Sequence, residues 1–226
     1  TDWADAFVSA YRKEFDVEDL GRIARWMGME MTWVPEGLFI THIRQSQAIV
    51  HRAQLSDNRN IQVPMGPNRL TKAMCCQTPA DEEFMKDKPY RSLVGGLGYL
   101  AHTSGVRVDL AYAHSELSRY NDCAGPGHWE ALINVIHYLR KHPFDGILLK
   151  RSGGLQLEAN CDSDFNGCKD ERTSKTGVTI DVGGSLIEHF SRSQKWTAKS
   201  VGQAEYHAMA SCAAELLFFR QVLQSI

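Results

Sequence analysis

The chain has 226 residues, 43% of them apolar, with 25 Lys and Arg against 27 Asp and Glu and a formal charge of −2. That is enough apolar material to bury a core, as one large domain or two small ones. The charge balance excludes a histone-like or generally polybasic protein, so any nucleic-acid contact must use a local patch. With a mean hydropathy of −0.33 and no apolar run near the roughly 18 residues of a membrane-spanning helix, the chain reads as soluble.

Cysteines stand at 75, 76, 123, 161, 168 and 212, with no C-x-x-C spacing and no close histidine. They read as reduced thiols in a reducing, intracellular compartment and not as a zinc site. The adjacent Cys75 and Cys76, in a polar stretch, are the pair to test for redox chemistry. The chain opens on Thr1 instead of Met, which points to something upstream removed or not built. Its first fifteen residues, with Asp2 and Asp5, lack the apolar centre of a signal peptide.

In chain order, Trp3, Phe7, Tyr11 and Phe15 recur every four residues and predict one helix face, with Asp2 as its cap. Asp19-Leu20-Gly21 breaks that helix. Residues 23–40, turning at Pro35-Glu36-Gly37, read as a hairpin. Residues 43–55 read as a helix with Ile43, Gln47, Val50 and Gln54 on one side. The stretch from Ser56 to Lys88, studded with Pro64, Gly66, Pro67 and Pro79, is expected to be a long connecting arm. Helical segments follow at 91–103, 108–120 and 128–142, the last started by Pro126-Gly127. Gly95, Gly96 and Gly98 suit close helix packing and not a phosphate loop, because no strand precedes them.

After Pro143 the period changes. A short strand at 146–149, an alternating strand at 155–165 and further strands at 176–182 and 185–191 lead to a helix of about 22 residues from Gln203. The fold class is therefore α+β. Asp162 and Asp164, two apart, project from one face of a strand. A Mg²⁺ ion prefers such hard oxygen ligands, and Glu205 in the first turn of the closing helix would join them if that helix packs near the strand end. The plain alternative is that these carboxylates are solvated or sit favourably at a helix N-terminus.

The run Tyr90-Arg91-Ser92-Leu93-Val94-Gly95-Gly96-Leu97-Gly98-Tyr99-Leu100-Ala101 resembles a signature of copia-type retrotransposon polyproteins. Asp109-Leu110-Ala111-Tyr112-Ala113, Leu117-Ser118-Arg119-Tyr120, His128-Trp129 and Tyr138-Leu139-Arg140 follow in the order of that family. Upstream, Asp19-Leu20-Gly21, Met27-Gly28-Met29-Glu30 and Val63-Pro64-Met65 are similar to the reverse transcriptase just after its catalytic strand. Downstream, Cys161-Asp162-Ser163-Asp164-Phe165-Asn166-Gly167, Arg172-Thr173-Ser174-Lys175-Thr176-Gly177 and Gln203-Ala204-Glu205-Tyr206 are similar to the start of the family's RNase H domain.

This resemblance implies a reverse-transcriptase palm and thumb remnant with its arm over 1–88, a helical connection over 89–143, and a truncated RNase H-like domain over 144–226. That domain would comprise a three-stranded antiparallel sheet and a long C-terminal helix. The polymerase's Tyr-x-Asp-Asp turn would lie before Thr1. Of the RNase H carboxylates, Asp162 and Glu205 match by position, and the third, on a fourth strand, would lie past Ile226. Val201 and Gly202 replace the family's Ser-Thr pair ahead of Gln203, which predicts a weakened helix cap. Two-metal hydrolysis needs a fuller set of carboxylates, with Asp164 a possible further ligand. Arg172, Lys175, Lys195 and Lys199 are candidates to track a phosphate backbone. His128 is given no catalytic role.

The leading expectation is a retroelement-derived, non-catalytic interaction or scaffold protein that needs no cofactor. The alternatives are a Mg²⁺-dependent endonuclease cutting the RNA of an RNA–DNA hybrid, and a nucleic-acid-binding module. Without its parallel neighbours, the strand at 155–162 would expose an edge that a protein partner or further polypeptide covers.

Overall fold

The computed structural model describes residues 2–225 apart from Asp19, with side chains from residue 5 onward. The architecture is α+β, with two separate antiparallel sheets and a helical body between them in sequence. Helix α1, Asp2–Glu14, stacks Phe7 on Tyr11 (ring centroids 5.5 Å apart), and Tyr11 meets the tilted ring of Phe15 just past the helix end (4.7 Å), along the predicted face. The cap reading of Asp2 and the place of Trp3 on that face concern side chains outside those described, as does Asp19 in the predicted break.

Strands β1 (Arg25–Trp26), β2 (Met29–Val34) and β3 (Gly37–Thr41) form a meander, its turns at Met27-Gly28 and Pro35-Glu36. Strand β4, Gly146–Lys150, then pairs antiparallel with β3, Ile40 opposite Ile147. The strand expected to open the 144–226 segment thus completes the sheet of the first. Glycine is required at two points of this seam. A Cβ on Gly37 would stand 1.9 Å from the Leu149 carbonyl oxygen, and one on Gly146 would stand 2.1 Å from that of Ile40.

Helix α2, Ile43–Arg52, buries Ser46 and Ile49, with Ala53 just beyond, so its inward face is rotated by about one residue from the one predicted. The arm that follows holds a short helical turn, Lys72–Met74, and, within the expected connecting stretch, a helix, α3, Pro79–Met85. Thr78 caps α3: the Asp81 amide donates to Thr78 Oγ1 at 3.2 Å, and the Thr78 amide donates to Asp81 Oδ2 at 3.0 Å. With Pro79 at the first helical position, seven residues suffice for a stable turn.

Helices α4 (Tyr90–Gly98), α5 (Ala111–Leu117) and α6 (Pro126–Lys141) form the principal core, a π-helical turn at Tyr99–Thr103 extending α4. Leu93, Leu97, Leu100, Leu110, Leu117, Leu132, Ile136 and Leu139 are fully buried there, each contributing about 1.5–3 kcal/mol by leaving water. Two glycines of α4 serve contact, as expected. A Cβ on Gly96 would lie 3.0 Å from Ile49 Cγ1, and one on Gly98 would lie 2.5 Å from His114 Nε2.

The second sheet runs β5 (Leu157–Asp164), β6 (Lys175–Val182) and β7 (Ser185–Ser193) in that order. Helix α7, Val201–Gln224, covers one face of it, burying Ala204, Ala208 and Cys212. The small apolar core there joins Val178, Ile180, Phe190 and Cys212 to Leu157, Ala159, Cys161, Leu216 and Phe219.

Candidate site on the three-stranded sheet

Strand alternation decides where the carboxylates go. Leu157, Ala159 and Cys161 of β5 turn toward α7, so Glu158, Asn160, Asp162 and Asp164 turn the other way. That second face looks toward α5. With Gly177 opposite Asp162 in the register, it leaves a cavity of about 370 Å³ that Asp162, Asp164, Ala111, Tyr112, Thr179 and Ser191 help to line. Asp162 is exposed at its rim.

Asp164 is already engaged. One of its oxygens lies 2.5 Å from an Arg69 guanidinium nitrogen, and the same guanidinium donates to the Tyr112 hydroxyl. Burial works against the Arg69 charge, yet its bond to Asp164 holds it above its ordinary pKa.

Glu205 is the fifth residue of α7, just past its first turn, on the helix packed against the opposite face from Asp162 and Asp164. The start of α7 does reach the end of β5: Gln194 Nε2 donates both to Thr176 Oγ1 (3.0 Å) and to the Ala204 carbonyl (2.9 Å), and Thr176 pairs with Ser163. Asp162 nonetheless turns to the face opposite the one that α7 covers. Among the described residues, no group of three or more His, Cys, Asp or Glu side chains could hold a metal ion. The residues present therefore do not fit a two-metal Mg²⁺ centre, which needs several oxygen ligands converging on each ion.

The predicted weakness of the α7 cap is corrected. Ser200, one residue ahead of the Val201-Gly202 substitution, accepts the Gln203 amide at 3.2 Å, while Gln203 Oε1 accepts the Lys199 amide at 2.7 Å. Gln203 thus folds back on the residue preceding the cap, satisfying a further amide at the helix start.

Of the four candidate phosphate-tracking cations, Arg172, Lys195 and Lys199 are exposed. Lys175 is not, which corrects its place among the candidates to track a phosphate backbone. It is 2% exposed, its ammonium 2.9 Å from Glu116 Oε1 and 2.6 Å from Ser115 Oγ of α5. Arg119 extends this network, 3.4 Å from Glu116 Oε2 and 3.5 Å from Asp170 Oδ2. Asp170 also accepts the Tyr120 hydroxyl at 2.8 Å and the Lys72 amide at 2.9 Å. Burial opposes its charge, but the Lys72 amide, Tyr120 and Arg119 hold its carboxyl below the usual range. These residues fasten the loop between β5 and β6 to the helical body.

The sequence reading missed Arg69, Glu116 and Asp170, since a lone charge in a polar stretch carries no mark of its partner. It missed Trp196 as well. That residue is 72% exposed between Lys195 and Lys199, in a cleft shared with Arg192 and His207. A tryptophan flanked by lysines is the signal in the sequence that could have found it. His128 is buried, its Nδ1 accepting the Gly125 amide at 3.1 Å and its ring stacked on Tyr120 with centroids 4.0 Å apart.

On its outer edge β5 has no strand partner among the described residues, since it pairs with β6 alone. The β7 side is different: there the Lys150 amide of β4 donates to Ser185 Oγ at 2.8 Å. No described helix is long and apolar enough to cross a membrane.

The chain is 31% identical over 220 residues to a retrovirus-related Pol polyprotein from transposon RE2 of Arabidopsis thaliana, covering 97% of this chain and 14% of that protein. It is 30% identical over 217 residues to the Pol polyprotein from transposon TNT 1-94 of Nicotiana tabacum, covering 95% of this chain and 16% of that one. A third relative is the uncharacterized mitochondrial protein AtMg00810 of Arabidopsis thaliana, 28% identical over 202 residues, 89% of this chain and 80% of that protein. No family model and no solved structure matches. The chain thus spans about one seventh of the length of the polyproteins it matches. Similarity that runs nearly end to end through this chain, in the order of the motifs quoted above, shows that it is a homologue of a stretch of the Pol polyproteins of copia-type retrotransposons.

Proposed function

We propose that this retroelement-derived chain works by contact, as a scaffold or interaction segment, and does not hydrolyse phosphodiesters on its own. The segments 1–88, 89–143 and 144–226 correspond in this reading to a palm and thumb remnant, a connection and an RNase H-like portion. The observation that carries it is the parity of β5: Asp162 and Asp164 face α5 while Glu205 rides on the helix of the other face, with Asp164 held by Arg69. The occupied surface would be the open edge of β5 with the outer side of α7, where Tyr206, Met209, Leu217 and Phe218 are each at least 45% exposed. Further polypeptide of the same polyprotein is the partner this reading names, because the matched relatives are several times longer than the chain. An extended segment could extend the sheet through backbone hydrogen bonds, as open edges favour.

The test combines two measurements. Incubation with an RNA–DNA hybrid and Mg²⁺ is expected to give no cleavage; cleavage that disappears in Asp162→Asn would defeat the scaffold reading in favour of the nuclease. Co-expression with the downstream polyprotein segment is expected to give a complex of fixed stoichiometry that Phe218→Glu weakens.

A second reading has its own observation. The exposed Trp196 between Lys195 and Lys199, with Arg172 also in water, offers base stacking beside phosphate contacts. Binding to single-stranded or hybrid nucleic acid would then fall steeply with salt and drop in Trp196→Ala.

A further inference from the structure

The sequence singles out Cys75 and Cys76 by adjacency, but the fold separates them and brings a third thiol in. Cys75 Sγ lies 3.0 Å from Cys123 Sγ, 48 residues away, both as free thiols, whereas Cys76 Sγ turns to the Ala124 carbonyl at 3.4 Å. The backbones carrying them are in contact. A Cβ on Gly125 would stand 2.6 Å from the Cys75 carbonyl carbon and 2.7 Å from the Cys76 nitrogen. Cys123 is exposed, and both thiols open on a cleft of about 350 Å³ whose wall includes Lys88 and Arg91.

We propose that Cys75 and Cys123 are a redox-closable pair whose disulfide ties the arm between α2 and α4 to the turn ahead of α6. The oxidant class is a small disulfide such as oxidised glutathione. The exposed Cys123 thiolate attacks one glutathione sulfur, forming a mixed disulfide and expelling the first glutathione thiolate. The Cys75 thiolate then attacks Cys123 Sγ, forming the intramolecular bond and expelling the second. Two electrons pass to the glutathione disulfide, and the two protons lost from the cysteines end on the two glutathione thiols. The Lys88 and Arg91 charges favour an anionic reagent in the cleft, although Arg91 is shared with Asp122. Burial, with Cys123 as the next cause, pushes the Cys75 thiol up to about 11. The exposure of Cys123 and the partial burial of Cys75 order the two attacks. Adjacent Cys75 and Cys76 could join only through a strained small ring, so Cys123 is the better partner.

The experiment uses the full chain equilibrated in glutathione buffers of graded ratio, followed by alkylation, non-reducing peptide mapping and thermal melting. The expected result is a Cys75–Cys123 cross-link with Cys76 still alkylated, and a melting midpoint raised by roughly 5–10 °C over the reduced chain. Cys76→Ser keeps both effects, and Cys123→Ser abolishes both. The proposal is overturned if both thiols stay alkylatable at the most oxidising ratio, if glutathione remains on Cys123 unresolved, or if the cross-link needs Cys76.

Discussion

A single buried ion pair shows how much one residue can matter here. Lys175 and Glu116, 2% and 1% exposed, face each other across the junction of β6 and α5, with Ser115 as the third contact. Glu116→Gln leaves an ammonium in the interior without its counter-charge, a loss of about 3–5 kcal/mol, read as a lower urea midpoint at unchanged slope. Asp164→Asn removes a partner of Arg69 at a site where both side chains are about one third exposed. Its expected cost is below roughly 1 kcal/mol. Equal losses in the two variants would refute this ranking. His114 adds a pH dependence: burial, then His102 and Lys175, push its pKa down to about 4 from the ordinary 6.5. The neutral ring is the form the fold accommodates, so its contribution is complete above pH 6.5 and is lost as pH falls from there to about 4. The melting midpoint should decline over that window, and His114→Gln should flatten the decline; a flat wild-type profile would contradict it.

At the scale of elements, capping explains what periodicity alone did not. The seven residues of α3 are too few for a convincing apolar repeat, but Thr78, Pro79 and Asp81 spell a start signal that the neighbouring prolines and glycines concealed. For α2 the period was right and its phase was not, because the surface that receives Ile49 is the gap left by Gly96 on another helix. At α7 the cap moved one residue upstream, from the Val201-Gly202 pair to Ser200. Ser200→Ala should therefore cost about 0.5–2 kcal/mol of stability, measurable by thermal unfolding, whereas Gly202→Ala, with open space at its Cβ position, should be neutral or slightly stabilising.

For the molecule as a whole, the exchange of one strand matters most. β4 follows the helical body in sequence yet lies beside β3, so the first sheet cannot be completed without residues 146–150. A chain ending at residue 143 should expose the β3 edge and aggregate more readily in light scattering than one ending at residue 152, both lacking the second sheet. If the shorter chain behaves as well as the longer, the strand is dispensable. The two sheets are further coupled through the body, by Lys175 to α5 and by His189 Nε2 at 2.7 Å from the Ala101 carbonyl oxygen. The α7 face of the second sheet is more loosely finished, with Leu217 and Phe218 in water.

Legible in the residues alone were the α+β class, the hairpin, the helices around Leu97, Leu117 and Ile136, the strands after residue 155 and the kinship to copia-type polyproteins. Those features rest on local periods, turn residues and ordered motifs, which are properties of contiguous chain. It took the packed molecule to reveal that β4 closes the first sheet, that Lys175 is interior, that Cys75 meets Cys123 and that Asp162 turns away from the sheet face covered by α7. Each of these depends on which distant segments pack together and on the parity of a strand relative to its covering helix, and neither is encoded in the spacing of any single stretch.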